Sequence, residues 1–307
     1  MTILIHIGIH KTGSTSLQQF CVQAADQLID DGILYPESGR PADQDAPWGH
    51  HVLAWSIQRK HGWTELEGWE AVKDEVEASG ASRVLLSSEG FVTCSVDQIR
   101  QIRSFFPNAE VRALVYLREQ FSHMLSVYKQ YVTTWGETRS FRQFADAKMN
   151  LCDYPALLAR WRRGLKDGRV LTRSFEECCR SKGLEASLLE VLGLELGRYE
   201  SFITAPANVS PENYQVAAVR WMNRVQEYLG AEAVDDSGLL LNRSILHRVK
   251  RQVIRGTRPG RFLARLLNST LADPLYLSSD REWFSGRLQE TQDLPERVSE
   301  IVGASSR

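Results

Sequence analysis

Residues Gly8 to Leu17 read GIHKTGSTSL, a stretch whose residue types and spacing suit the holding of an anion. Gly8 and Gly13 have the GxxxxG spacing of a phosphate-binding loop, in which backbone N–H groups converge on the ligand. A helix starting just after the loop would add its partial positive charge. Lys11 supplies an ammonium, and Thr12, Ser14, Thr15 and Ser16 supply hydroxyls. In a nucleotide-hydrolysing loop the lysine follows the second glycine, and the next hydroxyl holds magnesium. Here Ser14 occupies that lysine position, and the lysine stands earlier, inside the loop.

That shift separates two chemistries. The apolar run RVLLSS at 83–88 is followed by Glu89 rather than the usual Asp, so no obvious magnesium carboxylate follows and no metal site is expected. A lysine inside the loop without a metal ligand suits a phosphosulfate better than a triphosphate. One ammonium at the bridging oxygen can stabilise the charge that the departing phosphate gains. A second anion receptor is expected from Arg118, just after VRALVYL at 111–117, with Ser126 about two helical turns further on. A guanidinium fork plus a hydroxyl suits a terminal phosphate monoester. An acceptor hydroxyl must lose its proton, and Glu89 is the first candidate base, with His51 and its neighbour His50 as competitors. His6 and His10 read as core or loop residues.

Positioning these groups requires strands that end together. Residues 3–9 are apolar and β-branched, and a helix is expected over 14–30. Strands are expected at 83–88, 111–117 and 168–175, with helices around 66–79, from about 118 to 132, and over 153–166. Strands separated by helices imply crossover connections, hence a parallel sheet covered on both faces. The expected fold is α/β, a P-loop-type central parallel sheet with helices on both faces. The core is expected over 1–234, and a helical, partly basic extension over 235–307 packs on the same domain. Residues 35–63, with three tryptophans, read as a long binding or anchoring loop. Residues 243–265 carry eight basic side chains and no acid, which suits closure over a phosphate, recruitment of an anionic acceptor, or a solvated helix face.

HKTGSTSL resembles the 5′-phosphosulfate motif of sulfotransferases that use 3′-phosphoadenosine 5′-phosphosulfate (PAPS), closest to the form in heparan-type carbohydrate sulfotransferases and their bacterial relatives. Leu117, Arg118, Glu119, Ser126 and Tyr128 resemble the family's 3′-phosphate motif, with Gln120 where proline is usual and His123 where a second arginine is common. The segments starting at Asp153 and at Asn208 also look like bacterial members. The resemblance implies that Lys11, Thr12, Gly13, Ser14, Thr15 and Ser16 hold the 5′ end of PAPS, that Arg118 and Ser126 hold its 3′-phosphate, and that Glu89 serves as base. The implied activity is metal-free sulfuryl transfer to a hydroxyl of a carbohydrate, glycolipid or small molecule, leaving adenosine 3′,5′-bisphosphate. The rivals are an ATP- and magnesium-dependent kinase and a non-catalytic nucleotide- or glycan-binding module.

Composition agrees with an ordinary globular enzyme. The 307 residues include 37 basic and 38 acidic side chains, a formal net charge of −1, which argues against a nucleic-acid binder. No apolar run reaches membrane-spanning length and no signal peptide is read, so a cytoplasmic location is expected, with Cys21, Cys94, Cys152, Cys178 and Cys179 as free thiols. Oligomeric state stays open, a homodimer included.

Overall fold

The computed structural model describes residues 1–41, 47–63, 65–165, 169–203, 210–229, 243–270 and 274–304. The expected boundary at 234/235 and the start of the segment at Asn208 lie outside them. In chain order the elements are β1 (Thr2–Ile7), α1 (Ser14–Gln23), α2 (Ala25–Asp30), β2 (Ile33–Leu34), α3 (His51–Gln58), α4 (Glu67–Ser79), β3 (Arg83–Ser88), α5 (Val96–Ser104) and β4 (Glu110–Leu117). Then follow α6 (Gln120–Thr134), α7 (Phe141–Lys148), α8 (Tyr154–Gly164), β5 (Val170–Ser174), α9 (Phe175–Arg180) and α10 (Leu184–Leu192). The last are α11 (Asn213–Leu229), α12 (Arg243–Ile254), α13 (Arg258–Thr270) and α14 (Ser279–Ala304).

Two compact units result, one from Met1–Glu119 with Tyr154–Ala207, the other from Gln120–Asp153 with Asn208–Arg307. The first holds an all-parallel sheet in the order β2-β3-β1-β4-β5. Because β1 is central, both its faces are buried and its sequence is almost wholly apolar. Ile3, Ile5 and Ile7 pack with Val84, Leu86, Ala113 and Val115 against α3, α4, α5 and α8. Leu4 packs on the other face with Leu85, Leu114 and Tyr116 against α1, α2 and α10. Helices therefore cover both faces, as the alternating pattern implies. The chain leaves β1 toward one edge of the sheet and β4 toward the other, so the connections that follow these neighbours diverge. Ligands of open α/β sheets sit at such switch points.

Two elements differ from the sequence expectation. The helix over 14–30 is two helices, parted at Ala24, whose backbone stands at φ −96°, ψ 13°. The long connection 35–63 contains α3, which inserts Val52, Leu53, Ala54 and Ile57 into the core. Trp69 Nε1 donates to the carbonyl of Leu53 at 3.0 Å and fastens α4 to it.

The second unit is helical around Phe121, Tyr128, Phe141, Phe144 and Phe284, all buried. Tyr128 donates to the carbonyl of Arg139 at 2.6 Å and accepts from buried Arg220 at 2.9 Å, so this tyrosine of the second motif is a core residue.

Two histidines are fixed in neutral form inside the first unit. The amide of Ser87 donates to His50 Nδ1 at 3.1 Å, so the ring proton must be on Nε2, which donates to the carbonyl of Pro36 at 3.0 Å. Burial pushes the His50 pKa down to about 3. His6, 2.8 Å from Ser87 Oγ through Nδ1, is pushed down to about 4 by burial. Both rings must shed a proton to fold at acidic pH. As pH falls below about 6.5 the unfolded chain takes up these protons first, and stability declines until the folded rings titrate near 4 and 3. A loss on the order of 5 kcal/mol between pH 7 and 4 is expected from the pair, read as a falling urea midpoint, and His50→Gln should flatten part of that slope. A midpoint constant over this range would contradict the neutral buried rings.

Candidate active site

The loop after β1 is built by close approach. The Gly8 amide donates to the carbonyl of Ser88 at 3.1 Å, and a Cβ on Gly8 would lie 2.8 Å from Ser14 Oγ and 3.2 Å from Glu89 Cγ. Gly13 stands at φ 73°, where L side chains are strained, and a Cβ there would meet Leu184 Cδ1 at 2.3 Å. Between them Lys11 also has a left-handed backbone, φ 67°, at a cost of roughly 1–2 kcal/mol for a residue with a Cβ. Arg118 holds that conformation in place, donating from a terminal guanidinium nitrogen to the Lys11 carbonyl at 2.8 Å. Arg118 is itself seated over the Phe175 ring, 5.0 Å from its centroid, with Nε 3.9 Å from the Glu176 carboxylate.

The loop is therefore positive. Among the described residues no carboxylate lies within salt-bridge distance of the half-buried Lys11 ammonium. Burial first, and the Arg118 charge second, lower its pKa from the ordinary lysine value. A desolvated cation beside a second cation favours an anion. The start of α1 at Ser14 contributes the N–H groups that every helix leaves without intrahelical acceptors. The hydroxyls have separate tasks. Thr12 Oγ1 and Ser14 Oγ donate to the carbonyl of Ile9 at 2.7 and 3.3 Å, which ties the loop to the end of β1. Ser16 Oγ donates to Glu185 on α10, and Thr15 is exposed.

Glu89 follows β3 directly, beside β1 in the sheet. Its Oε2 accepts from Gln18 Nε2 at 3.2 Å and faces His51 Nδ1 at 3.6 Å. His51 Nδ1 also lies 3.0 Å from Ser88 Oγ, and Trp55, one turn along α3, stacks on the imidazole at 5.7 Å. Both side chains are 16 % exposed, sheltered yet reachable. Burial lowers the His51 pKa from the usual histidine value, while the Glu89 charge opposes that shift and His10 adds to it. The two residues that compete for the base role in the sequence thus stand together as an acid–imidazole pair, and Gly8 lies against the acid. His50 is engaged through both nitrogens and lies apart from this pair's chemistry. Ser126 is half-buried on α6, in the second unit.

Gln18, Ser88, Phe175, Glu176 and Glu185 hold this site together and were not singled out from the sequence. Glu176 carried a signal: it follows β5 closely, much as Glu89 follows β3, at the carboxyl edge of a parallel sheet.

No family model matches the chain. A protein of Archaeoglobus fulgidus described as uncharacterized is 24 % identical over 141 residues, which span 46 % of this chain and 38 % of that protein. Among solved structures, a sulfotransferase from Alicyclobacillus acidocaldarius aligns over 87 % of this chain and 95 % of its own, at 15 % identity and a TM-score of 0.43. A sulfotransferase domain from the curacin biosynthetic pathway aligns over 88 % and 96 %, at 11 % identity and a TM-score of 0.32. With likenesses this remote, the functional reading stands on the site itself.

The glycine geometry can be tested directly. Gly13→Ala meets both backbone strain and Leu184, whereas Gly80→Ala meets a positive φ of 64° with open space around it. The first should cost about 2–4 kcal/mol of unfolding free energy and the second about 1, measured by urea denaturation. Equal losses would mean that Leu184 does not crowd the loop.

Proposed function

We propose that the chain is a sulfotransferase that moves the sulfuryl group of PAPS to a hydroxyl, on a carbohydrate, a glycolipid or a small molecule. The observation that carries this reading is Lys11: a half-buried ammonium inside the loop, ahead of Gly13, beside Arg118, and unpaired with any described carboxylate. The cradle of Gly8 and Gly13, the amides at the start of α1 and the Lys11 ammonium fit a phosphosulfate chemically. PAPS, when bound, supplies the activated sulfuryl group and a phosphate that can leave. Lys11 and the first amides of α1 bind and orient its 5′ end, and the ammonium offsets charge that develops on the leaving oxygen. Arg118 is the candidate for the 3′-phosphate, while Ser126 enters this reading through the motif resemblance alone.

The acceptor proton goes to the Glu89–His51 pair. His51, neutral near pH 7 because its pKa is lowered, takes the proton on Nε2, while the Glu89 carboxylate faces Nδ1 and supports the imidazolium that forms.

Stabilisation against heat by adenosine 3′,5′-bisphosphate, and not by ATP with magnesium, is the expected result. Stabilisation by ATP–magnesium alone would overturn the reading in favour of a kinase, and donor binding without transfer to any acceptor in a broad panel would favour a non-catalytic module. Lys11→Ala should lower turnover at saturating donor roughly a hundredfold.

The pH profile separates the two base candidates. With His51 as base, the acidic limb of kcat lies below the usual histidine range. Glu89→Gln should then move it further down, because the lost carboxylate had been raising the imidazole pKa. If Glu89 alone accepts the proton, Glu89→Gln removes both the limb and the activity, and His51→Gln leaves the limb in place.

A further inference from the structure

The basic segment 243–265 belongs to the second unit. On α13, Arg258, Arg261, Phe262, Arg265 and Leu266 are all exposed, and their spacing of three and four places them on one stripe of the helix. The opposite stripe, Gly260, Leu263, Ala264 and Leu267, packs inward, with Ala264 fully buried. A helix with one apolar stripe already buried has no folding reason to place a phenylalanine on its outer face. Phe262 is nevertheless 72 % exposed and Leu266 49 % exposed, flanked by three guanidinium groups.

The preceding helix repeats the charge. His247, Arg248 and Arg251 are exposed on α12 at helical spacing, and Arg255, just past its end, is exposed as well. Among the described residues, none of Arg248, Arg251, Arg255, Arg258, Arg261 and Arg265 pairs with a carboxylate within salt-bridge distance. Two of them are oriented by other contacts: Arg265 lies over the Tyr214 ring at 5.8 Å, and Arg261 donates to the carbonyl of Gly256. Gly260 lets α13 cross close to α12, since a Cβ there would meet the Gln252 carbonyl at 2.2 Å. The two basic helices are thus locked together.

From this juxtaposition we infer that the outer stripe of α13, supported by the arginines of α12, docks on an anionic phospholipid surface. Arginines reach the headgroup phosphates while Phe262 and Leu266 enter the boundary between headgroups and acyl chains. Charge complementarity alone would also suit a soluble polyanion such as an acidic polysaccharide. The exposed phenylalanine and leucine favour the lipid, because a polyanion in water offers no apolar layer to receive them. No described helix is long and apolar enough to cross a membrane. The inference does not depend on the reading of Lys11.

The test is co-sedimentation of the full chain with vesicles of phosphatidylcholine alone or mixed with phosphatidylserine. Binding to the mixed vesicles only, weakened by salt, is expected. Phe262→Ser with Leu266→Ser should reduce it about tenfold or more at unchanged melting temperature, and Arg258→Gln with Arg265→Gln roughly twentyfold. Absence of binding to the mixed vesicles would overturn the inference. So would binding insensitive to the Phe262/Leu266 pair, which would identify the face as a receptor for polyanions in general, checked by displacement with heparin.

Discussion

A single hydrogen bond, from the Arg118 guanidinium to the carbonyl of Lys11, joins the carboxyl ends of two neighbouring strands and holds a lysine in a backbone conformation it would not choose. Left to itself, a residue with a Cβ relaxes out of the left-handed region, and the ammonium would swing with it. The arginine is fixed in turn by the Phe175 ring and the Glu176 carboxylate that follow β5. Three parallel strands thereby meet at one lysine. The electrostatic consequence follows from the geometry: burial lowers the proton affinity of Lys11, and the interaction that orients it adds to this by placing a second positive charge beside it.

The acid–imidazole pair is organised by a similar economy of close contacts. Gly8 has no side chain because Ser14 and Glu89 occupy the space. Gln18, on the helix that follows the loop, donates to both Ser87 and Glu89 and ties α1 to the end of β3. Burial and the neighbouring carboxylate pull the His51 pKa in opposite directions, and burial is the larger influence. His50, one residue earlier, shows what complete burial does: both nitrogens are saturated by backbone, and the ring becomes part of the scaffold.

Much of the sheet was legible because a central parallel strand must be apolar on both faces and a connecting helix must repeat every three to four residues. β1, β3 and β4 therefore stand out in the chain. β2 is two residues long, too short to leave a pattern. α3 is hidden in the sequence because His51 and Trp55 obscure a valid helical spacing at Val52, Leu53, Ser56 and Ile57. The division falls at Ala24, a buried residue of high helix propensity, so no local breaker marks it in the sequence.

The residue types at the site, a lysine between two glycines, a carboxylate after β3, an arginine after β4, were determined by the sequence alone, because spacing along one loop or at one strand end is a local property. Their partnerships were decided by the tertiary structure. Arg118 and Lys11 are 107 positions apart, and His51 and Glu89 lie in segments that only the folded sheet brings together. Whether a cation is paired or bare, or an imidazole buried or reachable, depends on which distant atoms exclude water from it, and a linear order of residues carries no record of that.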